Sequence, residues 1–398
     1  MGYKFRVWAG VLVAKGSKDF GFWFNDGTET SSGACRSVGE RVHRATRCAV
    51  RPRFRGADGG HPGSPSRRGL LVNLARDRGG LGYGLYGDDP LAFFLLDECL
   101  AYGNPSTAHC FQVHNNALMM ITQIGTEEQV ARWIEPTVKR AALLPGCGAE
   151  PQGAAPSAAT RVKGGFLVNG TKHYGTNATL AEWFWIGSVG FEDQPRALMF
   201  MVHRETPGLK IDAEIWRPMG MRACVSPWIT LENCFVPEEN LLGRPGQFLA
   251  ENWLGKINFA FTANYLGSAR AIYDWGLSYV RQRGGGRDPY RQMRLGELKS
   301  LLDASRLLLY GAVRMFKQDP DAAMVAAHQA KWMAKEMLEK VMWSVAEMCG
   351  STSLFLKHPL ERFYRDMHLH MLHGRHDVAA QIVGAAELGE PYDVNRAH

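Results

Sequence analysis

The texture of the chain changes twice along its length, and the order of those changes limits the folds open to it. Residues 89–142 place apolar side chains at helical spacing, and Thr126 followed by Glu127, Glu128 and Gln129 reads as a helix start. Between residues 146 and 248, short β-rich runs such as "GGFLVNGTKHYGTNATLAEWFWIGSV" and "CVSPWITLENCFVPEENLLG" alternate with Gly, Asn and Pro, which predicts an antiparallel β domain. From 249 to 398 long amphipathic runs return, among them "GELKSLLDASRLLLYGAVRMFK", and predict three or four long helices in a four-helix bundle. Helices, then strands, then helices, without repeat or βαβ alternation, define an α+β chain that is mainly α. A doubly wound nucleotide-binding fold is excluded, and neither G-x-G-x-x-G nor G-x-x-x-x-G-K-[ST] occurs.

The first 78 residues do not share this regularity. They hold 15 Lys and Arg against six Asp and Glu, whereas residues 79–398 hold 31 against 33, so the net charge of +7 belongs to one tract. No nucleic-acid partner is expected of the remainder. Within that tract the Arg, Gly, Pro and Ser of "GACRSVGERVHRATRCAVRPRFRGADGGHPGSPSRRG" follow neither a helical nor a strand period, which predicts irregular packing. A shifted reading frame in GC-rich DNA also accounts for such a composition. Four segments follow: the atypical tract 1–78, a helical domain 79–145, a β domain 146–248 and a helical bundle 249–398.

No apolar run approaches the roughly 20 residues that span a bilayer. The first residues show no charged-then-apolar leader. The expectation is a soluble, cytoplasmic protein with no membrane partner. The eight cysteines form no C-x-x-C pair, which speaks against a zinc ribbon or a disulfide framework and for small core residues.

Four of the 13 histidines crowd into "HLHMLHGRHD", residues 368–377. On a single helix, Asp366, His370, His373 and Asp377 would form one stripe able to offer metal ligands. One helix rarely supplies a full tetrahedral set, however, and no H-E-x-x-H or partner Cys/His cluster stands elsewhere. No metal is therefore assigned. His368 and His376 fall off the stripe and read as solvated or subunit-contact residues, while "NNALMMI" and the Trp-Phe-Trp at 183–185 read as core.

Several segments, in order and at matching spacing, resemble the acyl-CoA dehydrogenase superfamily: "GGLGYGL", "PSTAHCFQVHNNALMMITQIGTEEQ", Glu150-Pro151, "VNGTKHYGTNA", "MGMRACVSPWITLENCFVPEENLLG" and "HPLERFYRD". They cover residues 79 to about 390. The resemblance implies a flavin between the β domain and the C-terminal bundle, and a homotetramer. It places Tyr174 against the flavin ring, Thr176 and Asn177 beside its polar edge, and Arg283 on the dinucleotide phosphates of a neighbouring subunit.

Departures from the family pattern are as telling. "QGAAPSAA" replaces the phosphate-contacting G-A-G-S-D, "GGGRDPY" replaces the Phe-Gly after Arg283, and Glu347, Gly350 and Ser351 replace Gln-x-x-Gly-Gly. The cofactor is thus read as flavin, FMN or FAD. The glutamate that serves as general base in dehydrogenases falls at Gly374, or with a one-residue slip at His373; the alternative helix position falls near Ile257. A second branch, the flavin-dependent monooxygenases typified by dibenzothiophene monooxygenase, resembles this chain more closely here. Its arginine-led H-x-x-H-D is matched by Arg365, His370 and His373, though Gly374 stands where that branch has Asp. Its Asp-Pro helix entry is matched by Asp288-Pro289, and His114 in "QVHNN" matches a third pocket histidine.

The expected activity is a two-component monooxygenase using reduced flavin from a separate reductase, with dioxygen and a small organic substrate. Histidine suits such proton chemistry near pH 7. Its catalytic candidates are His373, His370 and His114. Two alternatives stay open: an acyl-thioester dehydrogenase with a non-standard base, and an inactive member of the fold.

Overall fold

A computed structural model describes residues 5–8, 11–14 and 70–396, which fall into two units, 1–69 and 70–398. In the first unit, β1 (Phe5–Trp8) pairs antiparallel with β2 (Val11–Ala14). The irregular packing expected of the rest of the tract lies outside the described residues. The second unit begins at Leu70 rather than at Gly79, because Leu71, Val72 and Leu74 are buried and Leu70 and Asn73 bond to His114 and Asn115 of the second helix.

Three helices open this unit: α1 (Pro90–Gly103), α2 (Pro105–Ile124) and α3 (Glu127–Arg140). Asp89 caps α1 by accepting from the Leu91 and Ala92 amides. Asn104, held extended ahead of Pro105, ends α1 and caps α2 through the Thr107 amide. Thr126 and Gln129 close a reciprocal capping box at the start of α3, where the sequence places a helix start.

The β domain is a seven-stranded sheet of β3 (Gly146–Cys147), β4 (Ala158–Val162), β5 (Gly165–Lys172), β6 (Trp183–Phe191), β7 (Gln194–His203), β8 (Leu209–Asp212) and β9 (Trp228–Pro237). Its order is β3-β6-β4-β5-β9-β8, with β7 on β6. The sheet is not wholly antiparallel: β3 and β4 both run parallel to β6. Neither β3 nor β4 joins β6 by a hairpin, so the short pairings escape a reading built on local turns. Phe166, Phe184, Ile186, Phe200 and Val202 form its core. Trp183, Phe184 and Trp185 are buried, as are Met119 and Met120 of α2.

The C-terminal region holds α4 (Gln247–Ala250), α5 (Trp253–Gln282), α6 (Pro289–Met315), α7 (Pro320–Cys349), α8 (Leu360–Met371) and α9 (His376–Leu388). α7 packs against α5, α6 and α9, while α1 packs on α5. Asp288 caps α6 through the Tyr290 amide and Pro289 occupies its first position. Among the described residues no helix is long and apolar enough to cross a membrane. The single helix assumed for the histidine stripe does not exist: α8 stops at Met371 and α9 starts at His376, so Asp377 leaves the line of Asp366 and His370. Among the described residues no three His, Cys, Asp or Glu side chains are placed to hold a metal ion together.

Candidate active site

The segment leaving β5 turns sharply because Tyr174 and Asn177 both adopt left-handed backbone conformations, at φ 55° and 73°. This leaves Tyr174 46% exposed while Thr176 is buried. The Asn177 amide donates to the Cys110 carbonyl on α2 at 2.8 Å, so its side chain braces the segment against that helix. The loop between β8 and β9 is clamped onto α8 by two contacts. The Met221 amide donates to Asp366 Oδ1 at 2.6 Å, and Gly220 lies so close to the Arg365 carbonyl that a Cβ there would overlap its oxygen. Two separate sequence motifs, "MGMR" and "RD", are thus two halves of one contact.

Three imidazoles converge under this loop. The His109 ring on α2 lies 4.9 Å from His370 on α8 and 5.8 Å from His373, centroid to centroid. Phe261 on α5 stacks on His373 at 4.9 Å and 28°, and Tyr265 meets His370 edge-on at 5.3 Å while its hydroxyl donates to the His370 carbonyl. Tyr174 stands 5.7 Å from His373, with His173 at 4.0 Å and Trp216 at right angles 6.3 Å away. The Thr176 hydroxyl is 2.8 Å from Ser226 Oγ and 3.5 Å from His109 Nε2. His370 Nε2 has no hydrogen-bond partner among the described residues.

His114 does not join this group, which corrects the sequence assignment. Its Nδ1 accepts from the Leu144 amide and its Nε2 bonds the Leu70 carbonyl, both at 2.9 Å, so both nitrogens serve the backbone of the helical domain. Residues 109 and 114, five apart on one helix, point about 140° from each other at 100° per residue, so only one can face the pocket. The third pocket histidine is His109. Sequence reasoning also missed Phe261, whose apolar run "NFAFTANYLG" gives no sign that one ring faces a site. Arg283 lies away from the pocket, at the C-terminal end of α5, with its guanidinium 4.6 Å from the Tyr279 ring centre. His368 is exposed, and His376 bonds the Met371 carbonyl.

Electrostatically the pocket holds uncharged imidazoles. Burial first, then neighbouring His373, pushes His109 down to about 3, and burial, then Lys331 and His173, pushes His373 down to about 4. His370 is held well below its ordinary value, chiefly by burial and then by the two other rings. No carboxylate of the described residues offsets them. Asp366 is turned to the Met221 amide and stands 3.7 Å from Arg362, while position 374 is glycine. Behind Phe261, the fully buried Lys331 ammonium donates to Asn258 Oδ1 at 2.7 Å, and burial lowers it to about 7. Neutral imidazoles can accept or donate a proton without first losing a charge partner.

Helical domain, mixed sheet and helical bundle, with a pocket where their elements meet, constitute the acyl-CoA dehydrogenase fold. Three family descriptions match in sequence order: "Acyl-CoA dehydrogenase, N-terminal domain" over 69–141, "middle domain" over 145–234 and "C-terminal domain" over 259–378. The chain belongs to the acyl-CoA dehydrogenase superfamily, a group of flavin-dependent oxidoreductases. Human mitochondrial short-chain specific acyl-CoA dehydrogenase is 26% identical over 343 residues, 81% of this chain and 80% of that protein. Among solved structures, the complex of TdsC from Paenibacillus sp. A11-2 with FMN and indole superposes with a TM-score of 0.76 at 21% identity, covering 90% of this chain and 98% of that one. Butyryl-CoA dehydrogenase from Megasphaera elsdenii gives 0.75 at 21% identity, covering 91% and 100%.

Proposed function

We propose that this protein is a flavin-dependent monooxygenase, acting with reduced flavin from a separate reductase on a small organic substrate, and that it assembles as a homotetramer. The observation that carries this reading is the absence of a carboxylate from the histidine pocket. His373 and Gly374 occupy the positions of the dehydrogenase base, and no charged carboxylate of the described residues replaces it. Abstraction of an α-proton from an acyl thioester calls for such a base. TdsC, described as a dibenzothiophene monooxygenase and solved with FMN and indole, shares this fold, and so does butyryl-CoA dehydrogenase.

The residues present fit a flavin ring. Tyr174, exposed at the pocket mouth beside Trp216, offers an aromatic face, and the Thr176 hydroxyl and the unpartnered His370 Nε2 offer polar edges. When bound, a reduced flavin supplies the electrons with which dioxygen is activated. Around it, His109, His370 and His373 would hold and move protons, Thr176 would orient the ring edge, and Phe261 and Tyr265 would exclude water. FMN is favoured over FAD because the positions that would grip the adenosine half are altered or engaged. Glu347 accepts from the Tyr290 hydroxyl at 2.9 Å, and Arg283 packs on Tyr279.

The sequence relatives favour a second reading, an acyl-CoA dehydrogenase, since the human relative and benzylmalonyl-CoA dehydrogenase of Aromatoleum aromaticum carry that name. Absorbance titration with FMN and with FAD, followed by two assays, separates the two. Reduced FMN plus oxygen should convert an aromatic heterocycle such as indole to an oxygenated product, and His373→Ala should abolish product while flavin still binds. Anaerobic bleaching of bound flavin by butyryl-CoA would overturn the monooxygenase reading in favour of the dehydrogenase.

A further inference from the structure

Behind the pocket lies a polar chain that reaches no solvent. Asp97 on α1 and Gln112 on α2 are both fully buried, and His109 is 5% exposed. The Gln112 amide can be placed two ways. In one, its oxygen would face two acceptors, Asp97 Oδ2 and the Ala260 carbonyl. In the other, its nitrogen donates to both at 3.3 Å and its oxygen lies 3.1 Å from His109 Nδ1. The second pairs every contact, because in the first the Gln112 oxygen faces the Ala260 carbonyl whether or not Asp97 carries a proton. Its consequence runs down the chain: an amide oxygen can only accept, so His109 must donate from Nδ1. A neutral imidazole with hydrogen on Nδ1 has a bare Nε2, and that atom is the one 3.5 Å from Thr176 Oγ1.

We propose that Asp97 and Gln112 are positioning residues of the histidine pocket: Asp97 orients the Gln112 amide, and Gln112 fixes His109 as the Nδ1–H tautomer with its Nε2 lone pair directed into the site. His109 then presents the pocket with a hydrogen-bond acceptor of fixed tautomer. Burial alone holds the carboxyl of Asp97 well above the usual carboxylate range, with no cation among the described residues to oppose it. The intervening Gln112 amide distinguishes this arrangement from a carboxylate–histidine pair, in which the acid bonds the ring directly.

The inference rests on the pocket reading above but is testable without flavin. Nitrogen-15 NMR of the flavin-free protein labelled at histidine reads the tautomer directly, with the His109 signals assigned by their loss in His109→Asn. The wild type is expected to show His109 protonated at Nδ1 and bare at Nε2 at pH 7. Gln112→Met, which keeps the side-chain length and removes the acceptor, should shift His109 toward the Nε2–H form. Asp97→Leu should broaden or split the same signals, and Asp97→Asn, which keeps a neutral acceptor oxygen, should restore the wild-type pattern. A wild-type His109 protonated at Nε2 overturns the proposal without any variant having to fold. An unchanged tautomer in a folded Gln112→Met removes Gln112 from the role, and unchanged signals in Asp97→Leu remove Asp97. Failure to bind FMN or FAD in the titration would overturn the functional reading while leaving the tautomer result intact.

Discussion

At the scale of single residues, the unusual feature is the number of imidazoles kept uncharged by burial. His109 is pushed down to about 3, and His114, His328, His373 and His376 each to about 4. In the unfolded chain the same groups titrate near 6.5. Below that pH the unfolded state gains protons that the folded state cannot, so stability is full above pH 6.5 and falls as the pH drops toward 4. Each such histidine contributes a slope of up to about 1.4 kcal/mol per pH unit. Asp97 works in the opposite direction: its raised folded value favours folding at low pH and is a cost above about 3.9. Asp366 is raised likewise, but two acids stand against these five histidines together with His370 and His173, which are lowered too, so the histidines dominate. Urea unfolding at pH 7.0 and pH 5.0 should therefore show a clear loss at the lower pH, and equal midpoints would contradict the burial assigned to these rings.

At the scale of elements, legibility followed locality. The helical character of residues 89–142, the Thr126 start and the Asp288-Pro289 entry depend on residues near in the chain, and the sequence displays them directly. The parallel pairings of β3 and β4 with β6, the break between α8 and α9, and the choice of His109 over His114 depend on partners distant in the chain. Periodicity cannot report those. The same holds for the clamp between the β8–β9 loop and α8. Its two motifs are visible separately, but nothing in either says that Gly220 must lack a Cβ because the Arg365 carbonyl lies against it. Gly220→Ala should lift this loop from α8 and break the Met221–Asp366 hydrogen bond. Overpacking of this kind costs about 1–3 kcal/mol. Thermal unfolding would read that loss, and because the loop roofs the histidine pocket, flavin affinity should fall with it. A variant as stable as the parent would show that the loop yields without cost.

At the scale of the whole molecule, the bundle leaves large apolar side chains in water. Trp343 on α7 is 69% exposed, Leu307 on α6 71% and Leu388 on α9 79%. Single exposed leucines are ordinary on a protein surface. A tryptophan so exposed on a 30-residue helix otherwise packed on three neighbours is more telling. Burying one large apolar side chain contributes up to about 3 kcal/mol, and a symmetric assembly repeats that gain at every copy. The proposed homotetramer would cover such a side chain. Sedimentation velocity should then give a species of four times 44.2 kDa. Trp343→Glu places a charge where the assembly would exclude water, and it should shift the distribution to smaller species without altering the fold of the protomer, as read by circular dichroism. A wild type that sediments as a single chain at micromolar concentration would refute the tetramer, and a tetramer indifferent to Trp343→Glu would move its interface to another face of the bundle.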